Sequence, residues 1–142
     1  MKKIVLTTLI LICFSLFASA ATKTVANRDG NCTVTVPDGW SVEATLGMAK
    51  STDKNISIIV SSPKQGMATM DSVEQMAPTI YPDDQVTKKS ATEFEMEGKS
   101  GNGKPNFYRA VPAGSKICTA EIQYESGTPA DAKAIVETLK AK

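Results

Sequence analysis

Two cysteines, Cys32 and Cys118, constrain this chain more than any other pair of residues, because a bond between them would close a loop around most of the sequence. A third, Cys13, belongs to a leader. Lys2 and Lys3 precede an apolar run from Ile4 to Phe17, and Ala18-Ser19-Ala20 ends it. A charged start, a short apolar middle and an Ala-x-Ala close make a secretory signal peptide with cleavage after Ala20. The run is too short and wrongly flanked for a stable span. Residues 1–20 are thus expected to be removed, leaving 21–142 as one domain with no transmembrane segment. Ile12 stands before Cys13 where lipid attachment needs a small residue, so a lipoprotein is disfavoured. Export with two remaining cysteines predicts a disulfide between Cys32 and Cys118; buried free thiols are the alternative, and no Cys-x-x-Cys spacing supports a redox role.

Hydrophobic period predicts an α+β domain. Cys32, Val34 and Val36 alternate with threonines as a half-buried strand does, and Pro37-Asp38-Gly39 reverses the chain, with Gly39 expected to take the positive φ. Trp40, the one tryptophan, follows and should fold back on that strand. Ile56, Ile58 and Val60 mark a second strand, and Phe94 and Met96 point inward from a third, whose Glu93, Glu95 and Glu97 point out. Phe107–Val111 and Lys116–Glu125 follow, the latter aligning Cys118, Ala120, Ile122 and Tyr124. A bridge from Cys118 to Cys32 is allowed if their strands are neighbours. Two helices are predicted. Asp71 with Glu74 resembles a capping box ahead of Val73, Met76, Ala77 and Ile80, with Pro78 ending or kinking the helix early. Thr128, Pro129 and Asp131 open the second, where Ala132, Ile135, Val136 and Leu139 share a face and Lys140 and Lys142 suit the negative end. The predicted core includes Trp40, Val34, Val36, Phe94, Ile122, Tyr124, Ile135 and Leu139.

Composition narrows the chemistry. There is no histidine, which removes the usual general base and the commonest zinc nitrogen. No catalytic constellation stands out, although a Ser-Lys or paired-carboxylate site is compatible with the composition. Without Lys2 and Lys3 the chain carries 14 basic and 15 acidic residues, so no basic excess supports a nucleic-acid partner. Gly98 to Lys104 has the glycine and lysine spacing of a phosphate loop. Pro105 stands where Ser or Thr should hold magnesium, and a strand follows where a helix is needed. A flexible hairpin fits better. The row Glu93, Glu95, Glu97 reads as a solvated face and does not wrap an ion. Met67, Met70 and Met76 are weak candidates for Cu(I), core or loop packing being the plainer reading. No cofactor is expected.

The strand into Val36-Pro37-Asp38-Gly39-Trp40, the stretch Asn102-Gly103-Lys104-Pro105 followed by Tyr108-Arg109, and the closing helix around Ile135-Val136-Glu137-Thr138-Leu139 resemble the PsbP-like family, which includes DcrB-like envelope proteins. The resemblance implies an α/β/α sandwich with a mostly antiparallel sheet, and a noncatalytic module that binds or assembles other proteins. It carries no catalytic residues across. The expectation is a periplasmic or secreted protein whose partner is another envelope protein. Alternatives are a small-ligand carrier, for an apolar molecule between sheet and helix or for Cu(I), and a histidine-free enzyme.

Overall fold

A computed structural model describes residues 21–52, 55–63, 68–99, 102–125 and 129–142. In chain order the elements are β1 (Thr22–Ala26), β2 (Cys32–Pro37), β3 (Ser41–Glu43), β4 (Met48–Lys50), β5 (Ile56–Ser61), α1 (Met70–Ile80), β6 (Gln85–Lys89), β7 (Phe94–Lys99), β8 (Pro105–Ala113), β9 (Lys116–Tyr124), α2 (Pro129–Val136) and β10 (Lys140–Ala141). They form two antiparallel sheets, one of seven strands in the order β3-β4-β5-β9-β8-β7-β6 and one of three in the order β1-β2-β10. The class is α+β.

Alternation decides which face of each strand is buried. Ile56, Ile58 and Val60 lie opposite Tyr124, Ile122 and Ala120, so one face of the large sheet is apolar across β5 and β9. Against it pack Val25, Val34 and Val36 of the small sheet, Trp40, and Ala132, Ile135, Val136 and Leu139 from α2 and the turn after it. A second, smaller core lies on the opposite face, where Val73 and Ala77 of α1 cover Phe94, Met96, Tyr108, Ala110 and Ile117. The large sheet therefore has cores on both sides, of unequal extent.

Cys32 and Cys118 are joined by a disulfide with their Cα atoms 5.4 Å apart. The two strands are not sheet neighbours. β2 belongs to the small sheet and β9 to the large one, so the bond crosses the core between them, where both residues are fully buried.

Local chemistry corrects several sequence expectations. The turn after β2 is closed by the Trp40 N–H donating to the Pro37 carbonyl at 3.2 Å, yet Gly39 is not among the residues of positive φ. Helix α1 is capped by Thr69, not Asp71: the Thr69 hydroxyl accepts from the Ser72 N–H, and Ser72 returns a bond to the Thr69 N–H. Pro78 does not end this helix. It forfeits one N–H bond near the C-terminus, and the Tyr81 N–H still reaches the Ala77 carbonyl at 2.9 Å. The proposed cap Thr128 lies outside the described residues. Helix α2 stops at Val136, short of the predicted end, because Thr138 turns its hydroxyl to the Ile135 carbonyl at 2.6 Å and accepts the Thr35 N–H at 2.8 Å. The chain then pairs with β2, so Lys140 lies in a strand and not on a helix end.

The acidic row is also not simply solvated. The Arg109 guanidinium donates to Glu93 at 3.0 Å and to Glu95, and Lys88 pairs with Glu93 at 2.6 Å. With Arg109 and Glu95 both largely buried, the ladder joins β6, β7 and β8 across their edge.

Replacing Cys32 and Cys118 together by alanine removes a cross-link that closes 86 residues of sequence separation. The chain-entropy model gives that loop about 4–5 kcal/mol, and removal of native disulfides costs about 2–5 kcal/mol. The C32A/C118A variant is expected to lose stability in that range in urea titration followed by far-ultraviolet dichroism.

Candidate functional site

Cross-strand register builds the site on the α1 side of the large sheet. One row of paired residues runs Glu43, Met48, Ile59, Glu121, Tyr108, Met96 and Val86 across all seven strands. The next runs Lys50, Ser57, Gln123, Asn106 and Gly98. Paired residues share a face, so the side chains of each row stand side by side. Helix α1 makes its main contacts with β6, β7 and β8 and covers Ile117 of β9; among the described residues no helix packs broadly on the same face of β3, β4 and β5.

The helix also has a direction. Glu74 reaches sideways to Lys89 of edge strand β6 at 2.7 Å. At about 100° per residue, Met76 and Ile80 fall on the other flank, toward β9 and β5. Met76 is 40% exposed, Ile80 49%, and Ile59 on β5 41%. Three large apolar side chains thus border this half of the sheet face, whose other members among the described residues include Glu43, Met48, Lys50, Ser57, Ser61, Glu121 and Gln123.

A polar cluster occupies the boundary between covered and bare halves. The turn Tyr81-Pro82-Asp83-Asp84, closed by the Asp84 N–H donating to the Tyr81 carbonyl at 3.1 Å, folds down beside the sheet. The Tyr81 ring lies 5.4 Å from that of Tyr108, and its hydroxyl donates to Glu121 Oε2 at 2.8 Å. Gln123 Nε2 donates to Glu121 Oε1 at 3.1 Å. Asp84 rests on Gly98: a Cβ there would come within 2.3 Å of Asp84 Oδ1 and 2.6 Å of its Cα. Only glycine admits so close an approach.

Beneath this turn the hydrogen bonding is incomplete. Asn106, opposite Gly98, is 0% exposed, and neither its Nδ2 nor its Oδ1 has a partner. The Tyr108 hydroxyl is shielded from solvent and likewise unpaired, and the Asp84 carboxyl, also shielded, has only the backbone N–H of Lys99 directed at it. Each such group costs about 1–3 kcal/mol relative to a satisfied one. Burial pushes the Asp84 carboxyl up; the backbone N–H of Lys99 acts in the opposite sense, and the charges of Glu121 and Asp83 raise it further. Burial, followed by the charge of Glu121, also raises the phenols of Tyr81 and Tyr108.

The sequence candidates are placed as follows. Met67 lies outside the described residues. Met70 packs against the α1 core while Met76 is turned out, about 120° away around the helix. Among the described residues there is no group of three or more His, Cys, Asp or Glu suited to a metal ion. Of the phosphate-loop match, Gly98 and Lys99 end β7 and Pro105 begins β8, its antiparallel neighbour, while Ser100 and Gly101 lie outside the described residues. Trp40 and Tyr124 are in the main core, Tyr124 stacked on Phe107 at 5.7 Å. Tyr81, Asp84, Asn106, Glu121 and Gln123 were not candidates from the sequence, since only register and the fold of one turn bring them together.

On the other side of the molecule, the end of β2 and α2 frame a cleft of about 480 Å³ lined by Pro37, Gly39, Trp40, Thr52, Ile56, Asp131, Ala134 and Ile135. No helix of the described residues is long and apolar enough to cross a membrane.

No protein-family model matches this chain, and no curated protein matches it. Among solved structures it is similar to the solution structure of cyanobacterial PsbP (CyanoP) from Synechocystis sp. PCC 6803, with a TM-score of 0.50 at 11% identity over 87% of this chain and 94% of that one. The likeness is one of fold. It makes this an α+β domain of PsbP-like fold.

Asp84 gives a pH prediction. Its folded pKa is raised, so its contribution to stability is full below the unfolded value, about 3.9, and is lost as pH rises through the folded value. Asp84→Asn should melt with the wild type below about pH 4 and above it at pH 7, as read by calorimetry across that range.

Proposed function

We propose that this chain is a noncatalytic protein-binding or assembly module, exported to the bacterial periplasm or secreted after cleavage at Ala20, with residues 21–142 as the working domain. The observation that carries this reading is the bare half-face beside α1, where Ile59, Met76 and Ile80 are exposed next to an anchored carboxylate. Exposed apolar side chains grouped at one place mark interaction surfaces. We read the layers as an α/β/α sandwich in which, among the described residues, α1 covers half of one face, and the other half as the seat of a partner. The PsbP-like fold and the absence of histidine agree with binding rather than catalysis, and the DcrB-like resemblance suggests another envelope protein as partner. The disulfide suits an oxidising compartment.

A photoreactive phenylalanine analogue placed at Ile59 should cross-link one envelope protein in native cells, and the same analogue at Leu46 should not. Equal cross-linking from both positions, or turnover of a substrate by the purified protein, contradicts the reading.

The cleft between sheet and α2 supports a second reading, a carrier of a small apolar molecule. Its size is within the range of ligand pockets, about 300–1,000 Å³, and the sole tryptophan lines it. Bound ligand should quench or shift Trp40 fluorescence and appear as added mass in native mass spectrometry of freshly purified protein. A bare chain mass removes this reading.

A further inference from the structure

The C-terminal end of α1 concentrates negative charge that no cationic side chain among the described residues pairs with. Its last turn contains no basic residue, although helix carbonyls there carry partial negative charge that cations usually meet. Asp83 and Asp84 follow at once, and Glu121 lies close enough to raise the Asp84 carboxyl. Among the described residues no Lys or Arg side chain forms an ion pair with any of these three carboxylates.

A second observation at the same place is independent of charge. Asn106 is completely buried with both side-chain polar atoms unpartnered, and the Tyr108 hydroxyl, in a residue 4% exposed, has no partner either. Buried polar groups in folded proteins are nearly always satisfied. Asn106 stands opposite Gly98, on which Asp84 rests, and Tyr108 stands opposite Glu121. Asn106 Oδ1 and the Tyr108 hydroxyl oxygen, acceptors without a donor, are therefore neighbours of the carboxylates, and what these oxygens can all accept is a multivalent N–H donor with positive charge; Asn106 Nδ2, itself a donor, is not served by it. Guanidinium and ammonium groups supply that, guanidinium with a fixed fork of donors. Apolar Ile59 and Ile80 flank the spot, so the donor's neighbours should be apolar.

Resting on the binding-module reading, we infer that this end of α1 receives a lysine or arginine side chain of a partner protein, carried on an apolar segment that covers Ile59, Met76 and Ile80. Glu121 takes the charge at the surface, held in place by Tyr81 and Gln123. Asp84 sets a second carboxylate beside it against Gly98, with Asn106 Oδ1 and the Tyr108 hydroxyl beneath the turn. Complementary charge gives register and choice of partner, and the apolar rim excludes water from the pair.

The test is a nitrogen-15 nuclear magnetic resonance titration of the oxidised protein, residues 21–142, with n-butylguanidinium chloride as the probe and n-butanol and calcium chloride as controls. Shift changes should centre on Ile59, Tyr81, Asp84, Gly98 and Glu121, and n-butanol should not reproduce those at Asp84 and Glu121. Glu121→Gln, which keeps the side chain's shape, should weaken the probe by roughly tenfold, the worth of a charge-assisted hydrogen bond. Asp84→Asn is the second variant, its fold checked by the same spectra. Scattered shifts, indifference to both variants, or saturation of these amides by calcium at lower concentration than the probe overturns the inference. Cross-links from position 59 that persist unchanged in Glu121→Gln would overturn the cationic anchor while leaving the binding face standing; their absence in the wild type would remove both.

Discussion

Cys32 and Cys118 tie two sheets together where their apolar faces meet, and that contact orients everything else in the chain. The layer between the sheets takes Val34 and Val36 from one side, Ile58 and Ile122 from the other, and is closed by Ile135 and Leu139. Apolar burial of this kind is worth about 25 cal/mol per Å² and carries no direction of its own. The covalent bond adds direction, because it fixes one register of β2 over β9 out of those that a mobile apolar layer would permit. Thr138, bonded to both the Ile135 carbonyl and the Thr35 N–H, fixes the exit of α2 in the same way.

Committing one face of the large sheet to this layer leaves the other face with a shorter supply of cover. Among the described residues a single eleven-residue helix serves it, packed chiefly on β6, β7 and β8 and reaching Ile117 of β9. Beyond it the same face presents Glu43, Met48, Lys50, Ser57, Ser61, Glu121 and Gln123 around Ile59, a surface that water tolerates and that a partner could also use. The similarity to a PsbP structure speaks to the path of the chain, and the reading of what it binds comes from its own residues.

Much of the architecture was legible in the sequence, because alternation is a local signal. Cys32-Thr33-Val34-Thr35-Val36, Ile56 to Val60 and Cys118 to Tyr124 each announce their buried face without outside help. The errors arose where distant groups decide a local outcome. Arg109 converts the glutamate row from a solvated face into a ladder, Thr35 receives Thr138 and so shortens α2, and Ser72 moves the α1 cap from Asp71 to Thr69. The candidate site was illegible for the same reason. Asn106 looks like loop polarity in a Gly- and Asn-rich stretch, and only its register against Gly98 places it under Asp84.

If the disulfide and the layer it crosses hold the small sheet onto the large one, their loss should be felt unevenly. Amide hydrogen exchange followed residue by residue, on oxidised protein and on protein reduced under otherwise native conditions, reads this directly. Faster exchange confined to β1, β2 and β10, with β5, β8 and β9 still protected, is the result this account predicts. Equal loss of protection in both sheets, or none in either, would contradict it.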